Sequence, residues 1–163
     1  YHNAYFNKFD NVWTHGDFIE IFNEGGLKIH GRSDATLNPG GVRIGTSEIY
    51  KVVESMQEID DSLIIGQKID GDERLILFIK LHSGNTFSSE LNQKIQKKIR
   101  LSCSPRHVPW IILPIDDIPY TVNGKKVEIS VRNIIDGLDV TNKDALSNPA
   151  SLEQFRNIPE LKI

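Results

Sequence analysis

The sequence has little of several features that would narrow its class. Among 163 residues there is one Cys and one Met, and the longest apolar run is the five residues from Leu75 to Ile79. A lone Cys103 can close no intramolecular disulfide and supply no multi-cysteine zinc site, which fits a reducing compartment. The apolar run falls far short of the roughly 20 residues a membrane helix needs. The opening Tyr1-His2-Asn3-Ala4-Tyr5-Phe6 has neither a basic start nor an apolar centre. No secretory signal is visible there, and the expected location is cytoplasmic. Charge of one sign is missing too: 19 Lys and Arg against 22 Asp and Glu leave −3, without the basic footprint of a nucleic-acid binder. Neither nucleic acid nor membrane is therefore expected as a partner. What is present is ordinary globular material, 39% hydrophobic with 12 glycines, at a length close to that of one domain.

Hydrophobic spacing then divides the chain. Residues 1 to 12 carry no clear period and read as irregular. Phe18–Phe22 and Leu27–His30 flank Asn23-Glu24-Gly25-Gly26, the pattern of a β-hairpin around a glycine turn. Gly31 to Gly45 is glycine-rich and loop-like. Thr46 is positioned to cap a helix through Met56, with Ile49, Val52, Val53 and Met56 along one face. Ser62–Ile65 and Arg74–Leu81 read as strands around Gly71. Ser88 or Ser89 caps a second helix to about Leu101, carrying Leu91, Ile95 and Ile99 at four-residue steps. His107–Ile115 is strand-like, with Pro109 pointing to an edge position or a later start. Val127–Ile135 reads as a third helix. Beyond Gly137 the chain turns polar and is expected to pack as a tail on the domain or on a neighbour. The order predicts a small α+β domain with a mixed sheet flanked by helices.

Four segments can carry chemistry, and each has a plain structural reading beside the functional one. In Thr14-His15-Gly16-Asp17 the carboxylate can accept from a pair of hydroxyls such as a ribose diol, or simply serve a turn. In Gly31-Arg32-Ser33-Asp34, Arg32 can reach a phosphate or a sugar and Asp34 can cap a turn. Asn38-Pro39-Gly40-Gly41-Val42-Arg43-Ile44-Gly45 lets backbone approach a ligand closely, yet it is neither a Walker loop nor a dinucleotide turn. Ile118-Pro119-Tyr120-Thr121-Val122-Asn123-Gly124-Lys125-Lys126 reads as a flexible loop presenting one ammonium to an anionic centre, or as a turn ending in two solvated lysines. His15, His30 and His107 lack a metal-ligand spacing, and Trp13 and Trp110 read as packing anchors.

The order of these segments is more specific than any one of them. Together they resemble the C-terminal part of the acyl-adenylate-forming (AMP-binding) enzymes, a group that includes acyl-CoA synthetases, peptide-synthetase adenylation domains and luciferases. Within that group, Val12–Asp17, Thr36-Leu37-Asn38-Pro39, Arg106-His107-Val108-Pro109 and Ile118–Glu128 are most similar to the acetoacetate-activating branch. The tail segments Ser147-Asn148-Pro149 and Phe155–Leu161 share that similarity.

The resemblance implies a ligase working in two steps. ATP activates a carboxylic acid as an acyl-AMP, and the thiol of coenzyme A then displaces AMP. It implies that residues 1–33 end a large N-terminal adenylation domain, that 34–137 form a mobile C-terminal lid, and that 138–163 are a C-terminal tail. On this reading Asp17 and Arg32 contact the adenylate ribose and Asp34 is the hinge. Lys125, directly after Gly124, is the catalytic lysine of the first step, with Lys126 as its competitor. Asn123 stands where the family often has Ser. Gly41 lies beside the pantetheine path and Arg43 near the phosphates or the CoA path. Arg100 holds the CoA 3′-phosphate, or else belongs to a solvated basic helix face with Lys94, Lys97 and Lys98. Mg2+ is expected on the large domain, outside this chain, and the domain alone is expected to be inactive. The alternatives are a synthetase for acetate, propionate or another short acid, and a non-catalytic nucleotide-binding or interaction module.

Overall fold

A computed structural model of the chain describes residues 2–6, 8–33, 35–140 and 143–162. Its element order is α1 (His2–Tyr5), β1 (Asp17–Ile21), β2 (Leu27–Arg32), α2 (Thr46–Val53), β3 (Ile59–Ile69), β4 (Asp72–Leu81), α3 (Ser89–Ser102), β5 (Ile111–Pro114) and α4 (Glu128–Ile135). Short 3-10 turns supply most of the ordered structure after α4, the last of them at Pro159–Leu161. The strands form two separate sheets. β1 and β2 make an antiparallel hairpin, while β3, β4 and β5 form a mixed sheet in which β4 pairs antiparallel with β3 and parallel with β5.

Local chemistry explains most boundaries. The β3–β4 hairpin turns at Asp70 and Gly71, both at positive φ (47° and 81°), a backbone shape that suits the right-handed twist of the two strands. α3 starts where the Ser88 side chain accepts from the Leu91 N–H at 3.3 Å, with Glu90 in the first turn and Arg100 in the last. β5 begins only after Pro109, because the preceding Pro105–His107 segment forms a 3-10 turn. Several boundaries depart from the sequence reading. A single helical turn occupies His2–Tyr5 in the region read as irregular. Gly45, not Thr46, is the N-cap of α2, and that helix ends at Val53. β3 begins at Ile59, three residues before Ser62, because its polar start pairs with the end of β4.

The mixed sheet is covered on both faces. On one side Ile64, Leu75, Leu77 and Ile79 pack with Ile49 and Val53 of α2 and Leu91, Ile95 and Ile99 of α3. On the other, Leu63, Ile65, Ile76 and Phe78 meet Val131 and Ile134 of α4 together with Leu152, Phe155 and Leu161 of the C-terminal segment. The central strands therefore read as continuous apolar runs, the pattern of a sheet buried on both faces. The Phe155 and Phe78 rings meet in a T-shaped contact, centroids 4.8 Å apart at 85°. Below it, the buried Gln67 and Arg74 side chains both donate to the Leu161 carbonyl, at 3.0 and 3.1 Å. The polar tail is thus part of the fold it follows.

Candidate functional site

Asp17 opens β1 opposite Arg32, the last residue of β2, in the Cα register of the hairpin. The Arg32 side chain lies outside the described residues, and so does Asp34. A cleft of about 470 Å³ runs beside this strand end, lined by Trp13, Thr14, His15, Asp17, Ser33 and Arg43 among others. His15 Nδ1 lies 2.5 Å from Asp17 Oδ2. That pairing leaves Oδ1 as an acceptor and fixes the carboxylate plane. Thr14 Oγ1 is buried and has no hydrogen-bond partner among the described residues. Orphaned buried hydroxyls are rare in folded proteins, and one at a cleft marks a place for a polar ligand. The cleft thus combines an acidic acceptor, an unpaired hydroxyl and a guanidinium, a set that suits a hydroxylated, anionic molecule.

The glycine turn faces a second cleft. Pro39–Gly41 form a 3-10 turn, with Gly40 at φ 56° and Gly41 at φ 79°. Both are conformations that a side chain disfavours. Asp72 Oδ1 accepts from the Gly40 N–H at 2.7 Å, and Glu73 Oε1 accepts from the Asn38 N–H at 2.6 Å. Those two carboxylates sit at the start of β4, so the glycine turn is tied to the mixed sheet. The bonds from the N–H groups of Gly40 and Glu73 hold the Asp72 carboxyl below its usual range. Gly41 lines an open cleft of about 620 Å³ with Asn38 and residues 68–73.

The Asn123-Gly124-Lys125 segment is a hydrogen-bonded hairpin rather than a flexible loop. Thr121 N–H donates to the Lys125 carbonyl at 2.8 Å, Lys125 N–H donates to Thr121 Oγ1 at 3.1 Å, and Tyr120 bridges Lys126. Gly124 takes φ 71° at the tip. Val122 N–H donates to the Ala145 carbonyl at 2.9 Å, which fastens the outer arm to the C-terminal segment. Lys125 is exposed and makes no ion pair among the described residues. Lys126 is the reverse: its side chain is 14% exposed and ion-paired to Glu54 and Asp61. The two neighbouring lysines, equivalent in sequence, stand in opposite environments.

The remaining sequence candidates are dispersed. Arg100 is exposed in the last turn of α3 and lines neither cleft. Of the basic residues on that helix, Lys94 pairs with Glu58 and Lys98 donates to Ser55 at 2.9 Å. His107 is half-buried, bonded to Ser104 at 2.8 Å and facing Glu48 at 3.3 Å, which makes it a structural link between α2 and the turn before β5. Burial pushes the Cys103 thiol up, away from nucleophilic use. Trp13 stacks on Tyr5 at 4.2 Å, but Trp110 is 71% exposed. Sequence reasoning missed the His15–Asp17 pair, the two carboxylates behind the glycine turn and the enclosure of Lys126. Only the first lay within reach, two residues apart in one motif.

No protein-family model matches the chain. It is 52% identical over 162 residues to the acetoacetyl-coenzyme A synthetase of Rhizobium meliloti, covering 99% of this chain and 25% of that protein. It is also 52% identical over 164 residues to the acetoacetyl-CoA synthetase of Danio rerio, covering 99% and 24% respectively. Among solved structures, acetoacetyl-CoA synthetase from Streptomyces lividans superposes with a TM-score of 0.86 at 37% identity, over 95% of this chain and 24% of that one. An anthranilate CoA ligase in complex with anthranoyl-AMP shares the fold at a TM-score of 0.68 and 20% identity, over 80% of this chain and 25% of that one. The chain spans about a quarter of the length of the relatives it matches.

A mixed sheet with helices on both faces, a hairpin ahead of it and a glycine-tipped lysine turn after it make up the fold that this chain shares with a quarter of an acetoacetyl-CoA synthetase. In sequence it is similar along nearly its whole length to acetoacetyl-CoA synthetases.

Proposed function

We propose that this chain is the mobile C-terminal domain of an acid–thiol ligase that activates acetoacetate with ATP and passes the acyl group to coenzyme A. The observation that carries the reading is the 52% identity to acetoacetyl-CoA synthetases over 99% of the chain. The surface agrees with it. Ile21, Leu27 and Ile29 of the β1–β2 hairpin are 74%, 67% and 66% exposed, an apolar face suited to covering by the rest of a larger adenylation domain. In this proposal residues 1–33 complete that larger domain, 34–137 are the lid with its hinge at Asp34, and 138–163 close the lid's second core.

The chemistry divides between the two ends of the domain. ATP supplies the adenylyl group, with Mg2+ expected on the large domain, and coenzyme A supplies the thiol. Asp17, held by His15, accepts from the ribose hydroxyls with Arg32 beside it, and Arg43 lies toward the phosphates. In the first step the exposed Lys125 ammonium stabilises the charge shared between the substrate carboxylate and the α-phosphate. In the second step Gly41, carrying no side chain, borders the pantetheine path, and Arg100 takes the CoA 3′-phosphate.

The test is Lys125→Ala in the enzyme that carries this domain. Loss of a well-placed charge donor costs on the order of 10²–10³ in rate. The expected outcome is that loss in acetoacetate-dependent ATP–pyrophosphate exchange, with thioester formation from supplied acetoacetyl-AMP nearly unchanged. Equal loss in both half-reactions removes Lys125 from the role. Exchange supported by acetate or propionate but not by acetoacetate transfers the reading to another short acid.

A further inference from the structure

Lys126 occupies an enclosure with no counterpart elsewhere among the described lysines. Its Nζ lies 2.5 Å from Glu54 Oε1, 2.7 Å from Asp61 Oδ1 and 2.6 Å from the Ser62 carbonyl oxygen. An ammonium has three N–H donors, and these three acceptors use all of them. The Tyr50 ring closes the remaining side, its centroid 4.1 Å from Nζ. The walls are themselves bonded. Ser62 Oγ donates to Glu54 Oε1 at 2.8 Å, and the Tyr50 hydroxyl donates to Glu128 Oε1 at 2.9 Å. The second oxygen of Asp61 accepts from the Tyr120 hydroxyl at 2.7 Å. Tyr120 and Lys126 are the facing residues of the two arms of the Gly124 hairpin. One carboxylate therefore grips both arms.

Burial of a charged group among so many partners is costly where only packing is needed, since an apolar side chain of similar volume fills such a space at least as well. Directed hydrogen bonds add what packing does not, a fixed orientation. In an extended arm successive side chains point to opposite sides. With Lys126 held inward, Lys125 is directed outward from a peptide plane pinned to the end of α2 and the start of β3.

We infer that Lys126 is a positioning residue for Lys125: its three-point anchorage to Glu54, Asp61 and Ser62 sets where the neighbouring ammonium stands when the domain closes for acid activation. The inference rests on the proposed role of Lys125 in the first half-reaction. It adds that the enclosure serves that half-reaction alone, because the proposed second step draws on the glycine turn and not on Lys125. A misplacement of about 1 Å at a reacting centre can cost on the order of 10² in rate.

The test measures both half-reactions in the complete enzyme, with Lys125→Ala as the reference. Lys126→Met keeps an unbranched side chain one atom shorter and removes the charge. The expected result is a fall of about 10- to 100-fold in the maximal rate of ATP–pyrophosphate exchange, with the KM for ATP and thioester formation from supplied acyl-AMP both within about twofold. Asp61→Asn leaves Glu54 to neutralise Lys126 and loosens the grip on both arms, so it remains informative if Lys126→Met does not fold. Its expected loss is smaller and again confined to the exchange reaction. Parallel loss of the two half-reactions, or none in either, for a folded variant overturns the inference and identifies Lys126 as a structural residue only. If Lys125→Ala itself shows no selective loss, the reading of Lys125 fails first and carries this inference with it.

Discussion

Glu128 shows how one residue in this network answers to pH. Burial pushes its carboxyl above the ordinary value of 4.5, and the groups facing it are the Tyr50 and Thr46 hydroxyls and the Lys126 ammonium. Tyr50 is driven up as well, by its burial first and by Glu128 beside it, so its hydroxyl stays protonated and donates. A carboxyl raised in the folded state binds protons there that the unfolded chain has already released. Its contribution to stability is complete below 4.5 and declines as pH rises through the folded value. Glu128→Gln keeps an acceptor for Tyr50 and has no charge to bury. Urea midpoints of the wild-type domain should therefore fall relative to Glu128→Gln as pH climbs from 4.5 toward neutrality. Parallel profiles for the two proteins would mean that Lys126 already satisfies the carboxylate.

At the scale of elements, the two ends of the domain are braced by different means. The lysine hairpin is gripped by an ammonium enclosure, whereas the glycine turn hangs on Asp72 and Glu73 at the start of β4. Removing the acceptor in Asp72→Ala releases the Gly40 N–H and leaves the Glu73 bond to Asn38 in place. The expected outcome in the complete enzyme is a several-fold loss in thioester formation from supplied acyl-AMP, with ATP–pyrophosphate exchange within about twofold, the reverse of the pattern expected for Lys126→Met. Half-reaction assays on the two variants side by side check this.

These elements also show what could be read in advance. α3 was legible because its Ser88 cap and its Leu91, Ile95 and Ile99 stripe are local signals. The β3–β4 turn was legible from Gly71 for the same reason. The polar start of β3 was not, because Asp60 and Asp61 break the apolar pattern, and the strand is set there by Ile59 and Asp61 pairing with Leu81 and Lys80, distant in sequence, across a register shift at Asp60. Site residues divide in the same way. Asp17, Gly41 and Lys125 stand in short motifs, while the partners that distinguish Lys126 from Lys125 lie 72 residues away at Glu54 and 64 away at Ser62. Nothing local in Gly124-Lys125-Lys126 says which lysine is held.

For the whole molecule the decisive feature is that the mixed sheet has two apolar faces, and the second is completed from the far end of the chain. α4 alone supplies Val131 and Ile134, a short helix over a face that also carries Leu63, Ile65, Ile76 and Phe78. Leu152, Phe155 and Leu161 fill the remainder, and Phe155 is fully buried in a T-shaped contact with Phe78. The same C-terminal segment fastens the lysine hairpin through Ala145 and bonds Gln67 and Arg74 through Leu161. Stability and presentation of the lysine hairpin are thus coupled through a polar tail that was expected to pack on the domain or on a neighbour and packs on the domain. Phe155→Ala removes a large buried side chain from a packed face, a change that typically costs about 3–5 kcal/mol. For a chain of 163 residues each kcal/mol lowers the melting temperature by about 2–4 °C, so a drop on the order of 10 °C is expected in a thermal melt. Because Phe155 touches neither cleft and neither lysine, both half-reactions of the folded variant should fall together with the folded fraction and recover together on cooling. A selective loss in the exchange reaction would instead place the C-terminal segment among the parts that aim Lys125.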